Sequence, residues 1–232
     1  MKKVLLVLFG ILITLTLNAQ IYLTNRSFEE NKANTLLPTA WATCVEGSTP
    51  DIQPGKWGVT KAAQDGISFL GLITRENGSY ESIGQKLNTP LDANSCYTFS
   101  IYLARADNYS SYNLPLRLKI WGSKSFCGKD QLLVSTKAIK NIQWTKYEFQ
   151  IYTKEKVHFL LLEACNAPGI TIPYRGNILI DNISEIKPCF KALINQHPPV
   201  LRASVTYSSV FPWFSSVLER VHHYLQKSLS IL

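Results

Sequence analysis

The 232-residue sequence is poor in the residues that carry catalysis. It has four histidines; His197, His222 and His223 lie in the C-terminal stretch, and only His158 falls where strands are expected. No G-x-S-x-G motif or Ser/His/Asp order accompanies His158, which excludes the familiar nucleophilic hydrolase layouts. No C-x-x-C pair and no Cys/His spacing suited to zinc is present, which excludes the common structural zinc sites. The formal charge is +8, but two of those charges sit on Lys2 and Lys3 and the rest are spread thinly. Without a Lys/Arg cluster, nucleic-acid binding is excluded. There is no internal repeat, no low-complexity linker and no strong helical period before residue 187. The long apolar run from Val4 to Leu17 is short for a membrane span.

That run follows Lys2 and Lys3 and ends at Leu17-Asn18-Ala19, ahead of Gln20. This is the layout of a signal peptide covering residues 1–19, the other reading being an uncleaved anchor. No cysteine follows it, which argues against a lipoprotein anchor. The expectation is export, to the extracellular space or the outer-membrane surface. The sequence contains five cysteines: Cys44, Cys96, Cys127, Cys165 and Cys189. In an exported chain these predict disulfides, with one left free or paired between chains. The connectivity stays open.

The strand pattern begins with Cys96–Ala104 (CYTFSIYLA), whose apolar residues Tyr97, Phe99, Ile101 and Leu103 alternate with the period of a half-buried strand. Tyr80–Leu87 precedes it across the turn-rich NTPLDANS. Asn77-Gly78 predicts a tight turn that joins Phe69–Ile73 and Tyr80–Leu87 as a hairpin or a loop-linked pair. Further strands are expected at Tyr22–Thr24, Leu114–Trp121, over 131–136, at Trp144–Tyr152, Val157–Ala164 and Asn177–Ile186. The segment Glu46–Gly58, rich in Gly, Pro and Asp, reads as one long ordered loop. About nine short strands with turns between them predict an all-β jelly-roll sandwich over residues 20–188. Residues 189–232 form a tail. There Phe214, Val217, Leu218, Val221, Leu225 and Leu229 fall on one helical stripe behind Pro212. Such a helix would suit a membrane surface, a protein partner or the chain's own sandwich; the other reading is a tail with no defined fold.

Three segments together resemble a known family. N-R-S-F-E-E with Pro38 and Trp41, the central D-G-x-x-F-L-G-L … I-G-Q-K-L-x-x-P-L-D-A-x-x-C-Y-T-F-S-I-Y-L-A, and the closing I-L-I-D-N-I-S are similar to galactose-binding-like jelly rolls. The likeness is to carbohydrate-binding modules of the 4/9 type, and it covers residues 21 to 186. Similar domains stand at the N-terminus of bacterial surface proteins. The resemblance implies a structural calcium between the first and last strands, held by Glu29, Asp181 and backbone carbonyls, with Asn25 a further oxygen. Calcium takes several hard oxygen ligands at once, so it can tie two chain ends together. Asn182 stands where the family often has a second Asp, which removes one charge. Trp41 is read as core.

A polysaccharide or cell-surface glycan would stack on aromatic rings while planar polar groups bond its hydroxyls. Trp57, Tyr80, Tyr109, Tyr112, Trp121 and Tyr174 lie on loops or near strand ends and are candidates; Gln85 and Arg117 lie mid-strand, where such modules carry polar residues on a concave face. The acids available to a glycosidase are Glu46, Asp51, Asp65, Glu81 and Glu163, and that chemistry needs two of them facing one cleft. Glu163 ends the apolar run HFLLLEA, where burial would raise its pKa unless a Lys or Arg satisfies it. The expected function is a non-catalytic carbohydrate-binding module. The alternatives are a cell-surface protein–protein interaction or adhesion domain, with the tail as a possible partner site, and a glycoside-active hydrolase. N-x-S/T triplets at Asn25, Asn77, Asn108 and Asn182 matter only on a eukaryotic secretory route, and the leader is of bacterial type.

Overall fold

The structure, a computed structural model, describes residues 20–30 and 37–189. The leader at 1–19 and the tail beyond Cys189 lie outside the described residues, and with them the signal-peptide and tail-helix expectations.

The described chain is all-β and forms a two-sheet sandwich, as the strand pattern predicts. Its strands are β1 (Ala42–Thr43), β2 (Asp51–Gln53), β3 (Phe69–Thr74), β4 (Ser82–Leu91), β5 (Ser95–Ala104), β6 (Leu114–Pro115), β7 (Arg117–Ser123), β8 (Gln131–Ser135), β9 (Thr145–Thr153), β10 (Val157–Cys165), β11 (Gly176–Asp181) and β12 (Lys187–Pro188). One sheet has the order β1-β4-β10-β7-β8. The other runs β12-β5-β11-β3-β2, with β9 paired to β5 and β6 to β11. All pairings are antiparallel except β6 with β11.

The alternation of β5 has its expected result: Tyr97, Phe99, Ile101 and Leu103 all face the core. From the other sheet Ile83, Leu87, Leu118, Ile120, Leu160 and Leu162 meet them. Each such fully buried aliphatic side chain contributes roughly 1.5–3 kcal/mol relative to exposure. Strands β3 and β11 do not alternate because both their faces are covered. Leu70, Leu72, Ile178 and Ile180 enter the main core, while Phe69, Ile73 and Leu179 enter a second cluster with Val59, Ala106 and Tyr109. Trp41 is core as expected, its ring 5.1 Å from that of Phe28.

Four local expectations fail. Phe69–Ile73 and Tyr80–Leu87 are not a hairpin: β3 and β4 belong to opposite sheets, joined only by the bridge Thr74–Tyr80. Tyr22–Thr24 is not a strand; only Ile21 bridges, to Ile186, and residues 24–27 turn. The 46–58 loop contains β2, because Asp51–Gln53 finds the open edge of β3. The connector after β4 is short, since β4 continues past an irregularity in its pairing with β10 to Leu91, which pairs with Val157.

Two disulfides form, Cys44–Cys127 and Cys96–Cys189, and Cys165 is free. The first ties the β1 edge of the five-stranded sheet to the 124–130 loop. The second ties the start of β5 to the residue after β12.

Candidate binding face

The outer face of the five-stranded sheet follows from strand period alone. In β7 the core takes Leu118 and Ile120, so Arg117, Lys119 and Trp121 point outward. In β10 the core takes Leu160, Leu162 and Ala164, which turns Leu161, Glu163 and Cys165 to the same side. The antiparallel register then sets these residues in rows: Arg117 opposite Cys165, Lys119 opposite Glu163, Trp121 opposite Leu161. Leu161 in turn faces Gly84 of β4.

Gly84 is small for a reason. A β-carbon there would lie 2.8 Å from the Cys44 sulfur and 3.5 Å from Cε2 of Phe126. The disulfide therefore crosses the sheet at Gly84 and holds the 124–130 loop over one part of the face, with Phe126 edge-on to Phe159 at 5.9 Å. That loop delivers Lys129 to the middle of the site.

The Lys129 ammonium lies 5.1 Å from the Tyr80 ring centre and 5.8 Å from that of Trp121. Lys119 is 5.5 Å from the same indole. Lys129 also donates to the Tyr80 hydroxyl at 3.1 Å and ion-pairs with Glu163. Burial works against its charge, but the hydrogen bonds to Glu163 and Tyr80 outweigh it and hold the ammonium above the usual lysine range. Glu163, 5% exposed, also faces Lys119 at 4.0 Å. The expectation that a neighbouring lysine satisfies Glu163 holds, with two lysines sharing the one carboxylate.

Cys165 donates its thiol proton to Glu163 at 3.0 Å. Burial first, then this bond and the carboxylate charge, push its pKa up to about 12. Beyond it a cleft of about 260 Å³ opens between the 75–80 turn and the 166–173 loop. Tyr80, Arg117, Glu163, Cys165 and Asn166 are among its lining residues. Arg117 Nε, Trp121 Nε1 and Asn166 Oδ1 are buried without a hydrogen-bond partner. Ser82 Oγ, opposite Glu163, and Glu163 Oε2, which has its ion pair with Lys129 and no hydrogen bond of good geometry, are unpartnered on this face as well. Buried polar atoms normally have a partner, so the unpaired atoms of Arg117, Trp121 and Asn166 form a set that a ligand could satisfy.

The structure thus brings together Tyr80, Arg117 and Trp121 of the sequence candidates and separates the rest. Gln85 corrects an expectation. It shares a face with Ile83 and Leu87, and its amide accepts from Thr24 N at 2.5 Å and donates to Thr24 O at 2.9 Å, so it anchors the N-terminal segment. Tyr109 is likewise no surface ring: it is 1% exposed in the second cluster, and its hydroxyl bonds Asp51. Tyr112 packs against it, centroids 6.5 Å apart. Tyr174 is a brace, accepting from Ala167 N and donating to Pro115 O. Trp57 is 61% exposed on its own loop; Trp121 does not line the cleft either, but it lies on the same outer face and shares the Lys129 ammonium with Tyr80, which Trp57 does not. Lys119, Lys129 and Asn166 were not foreseen. Lys119 could have been, since the alternation of RLKIW puts it beside Arg117 and Trp121.

Glu29 and Asp181 meet at a second place, the 64–68 segment. Glu29 accepts from Ile67 N and Ser68 N at 3.0 and 3.1 Å. Asp181 accepts from Gln64 N, Asp65 N and Asn182 N, at 2.7, 3.1 and 2.7 Å. Burial, aided by the nearby Asp65 charge, outweighs these bonds and raises Asp181 to about 7. No ion pair among the described residues reaches Glu29, Asp65 or Asp181. Hard oxygens, a shared segment and uncompensated charge fit calcium. Asn25 does not: its Oδ1 accepts from Glu29 N and its Nδ2 donates to Glu29 O and Thr39 O. Among the described residues no three His, Cys, Asp or Glu converge on one point, so backbone carbonyls would have to complete the shell.

A larger groove of about 760 Å³ lies on the outer side of the other sheet, lined by Arg26, Lys146, Glu148, Gln150, Asn182 and Glu185 among others. Its charges pair with one another, Arg26 with Glu185 and Lys146 with Glu148. The rings of Phe99 and Phe149 beneath it pack on each other at the core, 5.5 Å apart. Phe99 and Phe149 reach its lining, but both rings pack into the core and its polar groups are paired, so the smaller cleft with its unpaired polar atoms is the better candidate.

No protein-family model matches the chain, and no curated protein matches it. Among solved structures, it is similar to the CBM22-1 xylan-binding domain of Paenibacillus barcinonensis Xyn10C, at 15% identity and TM-score 0.44, covering 70% of this chain and 91% of that one. The K3 cleaved adhesin domain of Lys-gingipain from Porphyromonas gingivalis w83 is similar at 12% identity and TM-score 0.46, covering 73% and 99%. TmCBM61, solved with beta-1,4-galactotriose, has 12% identity and TM-score 0.42, covering 72% and 98%. The choice of site rests on this chain's own residues.

Proposed function

We propose that the sandwich is a non-catalytic module that binds a glycan on the outer face of the five-stranded sheet. The observation that carries this is the grouping of the Tyr80 and Trp121 rings with three buried, unpartnered polar atoms, on Arg117, Trp121 and Asn166. A pyranose needs an apolar surface for its C–H face and directed polar groups for its hydroxyls, and both are present. Lys129 lies over both rings, but its side chain is 35% exposed on a flexible stem and can swing aside. The cleft volume suits about one sugar unit, below the roughly 300–1,000 Å³ of larger ligand pockets.

A binding role is preferred to hydrolysis because a glycosidase needs two carboxylates about 5–10 Å apart across the scissile bond. Among the described residues Glu163 is the only acid lining this cleft, and two lysines hold it. The disulfides support an exported location, since such bonds persist in oxidising compartments. A structural calcium at Glu29 and Asp181 belongs to the same proposal; it would lock the 64–68 segment to the first and last parts of the sandwich.

Affinity electrophoresis of the disulfide-intact protein through gels containing different polysaccharides tests the binding site. At least one glycan should retard the protein, and Trp121→Ala and Tyr80→Ala should each abolish retardation while Trp57→Ala does not. Retardation that survives both ring deletions would move the site elsewhere.

A further inference from the structure

We propose that the preferred glycan is acidic, carrying the carboxylate of a uronic acid, and that Arg117 is the residue that reads it. This rests on the glycan-binding reading of the face and names its ligand class.

The charge balance of the face is the first ground. Arg117, Lys119 and Lys129 converge there, and the carboxylate that answers them is Glu163 alone. Glu163 is shared by the two lysines, so they already neutralise it with charge to spare. The neighbouring acid Glu81 does not help. Its carboxylate is taken by Arg75 at 2.7 Å, by Ile73 N at 3.0 Å and by Thr49.

The second ground is Arg117 itself. No ion pair among the described residues uses it, its Nε is buried without a partner, and it lines the cleft. A guanidinium is a planar fork of donors matched to a planar carboxylate, and it cannot shed its charge when buried. Leaving the buried Nε unpaired is costly unless a ligand supplies the acceptor. A neutral sugar could offer hydroxyl oxygens to that edge. A carboxylate would satisfy it bidentately and also neutralise the excess charge.

The third ground is position. Arg117 and Trp121 lie on the same face of β7, two outward positions apart, with Lys119 between them. Successive same-face positions on a strand are roughly 6.5–7 Å apart, so the two side chains are rooted about 13 Å from each other. A sugar stacked at the rings can therefore extend toward Arg117 along the strand, with its acid group or that of the next unit meeting the guanidinium.

Calorimetric titration of the disulfide-intact protein with polygalacturonate, a neutral galactan and polyglutamate tests this. The expected result is binding of polygalacturonate at least tenfold tighter than the neutral galactan, with weak or no binding of polyglutamate. Arg117→Gln should remove most of that preference, weakening polygalacturonate far more than the neutral galactan, and Trp121→Ala should abolish both. Equal affinity for the two polysaccharides, unaltered by Arg117→Gln, overturns the acidic specificity but leaves the binding face standing. Polyglutamate binding as tight as polygalacturonate, with no effect of Trp121→Ala, would mean general polyanion attraction and overturns it as well. Failure to bind either polysaccharide or any other glycan overturns the face and the inference together. Melting curves of each variant separate lost contacts from lost folding, and Arg117→Lys, which keeps charge but not the fork, should restore little of the preference.

Discussion

The sulfur of Cys44 occupies the space that a side chain on Gly84 would need, 2.8 Å from where its β-carbon would stand. Gly84 lies in β4 and pairs with Ala42 of β1, and Cys44 directly follows that strand. The bare backbone at 84 lets the disulfide lie flat on the sheet and deliver the loop that carries Phe126 and Lys129. Gly84→Ala should therefore cost about 1–3 kcal/mol, the usual range for overpacking a tight contact. Urea unfolding measures that cost. The same variant should change glycan affinity, because the displaced loop carries Lys129, which covers the Tyr80 and Trp121 rings; unchanged stability and binding would show that the loop is not seated on Gly84.

The two disulfides should separate in function. They span 83 and 93 residues, so loop-closure entropy predicts similar stabilisation, about 2–5 kcal/mol each. Replacing Cys44 and Cys127 with serine should cost stability and also reduce glycan affinity. Replacing Cys96 and Cys189 should cost as much stability with affinity retained while the protein is folded. Denaturant midpoints beside binding isotherms read both effects.

Cys165 should be nearly inert to alkylation in the folded protein. Its thiol is held up to about 12 by burial and by Glu163, against an ordinary value of 9.0. Reactivity follows the thiolate, so at pH 8 labelling by iodoacetamide should be about 1,000-fold slower folded than in urea. The linkage has a definite sign. The native state keeps a proton that the unfolded chain releases, so the stability contributed by this group falls as pH rises from about 9 toward 12. Cys165→Ser should flatten that part of the stability profile. Rapid labelling of the native protein at pH 8 would show that the Cys165–Glu163 bond is open in solution.

Calcium should raise the melting temperature, and a chelator should lower it, if Glu29 and Asp181 hold the ion. Ligand at a hundred times its dissociation constant adds about 2.7 kcal/mol to stability. Glu29→Gln and Asp181→Asn should each lose the calcium increment, whereas Asn25→Ala should lower stability without changing the response to calcium, since both ends of Asn25 are spent on backbone groups. A wild-type melting temperature indifferent to calcium and chelator would leave the two carboxylates as peptide N–H acceptors only.

Much of the architecture is legible in the sequence because strand period is a local property. The alternation of 97, 99, 101 and 103 assigns the core face of β5, and that of RLKIW assigns both faces of β7. The same rule, applied to IGQKL, puts Gln85 with Ile83 and Leu87 and so removes it from the binding face. Glu163 is visible in advance as an acid ending an apolar run. Its partners are not, since Lys119 and Lys129 come from a different strand and a loop more than thirty positions away.

Taken alone, the sequence determined most of the longer strands, which side of most of them is apolar, that the chain is a β-sandwich, and that cysteines would bridge it. These follow from side-chain period and turn chemistry, which act over a few residues. Only the tertiary structure decided which strands share a sheet, so that β3 and β4, neighbours in sequence, part into opposite layers. It alone decided which cysteine stays free, that Tyr109 sinks into a second core, and that Tyr80, Arg117, Trp121 and Glu163 meet on one face. Register and loop placement depend on burying two sheet faces at once, a long-range condition that no local pattern encodes.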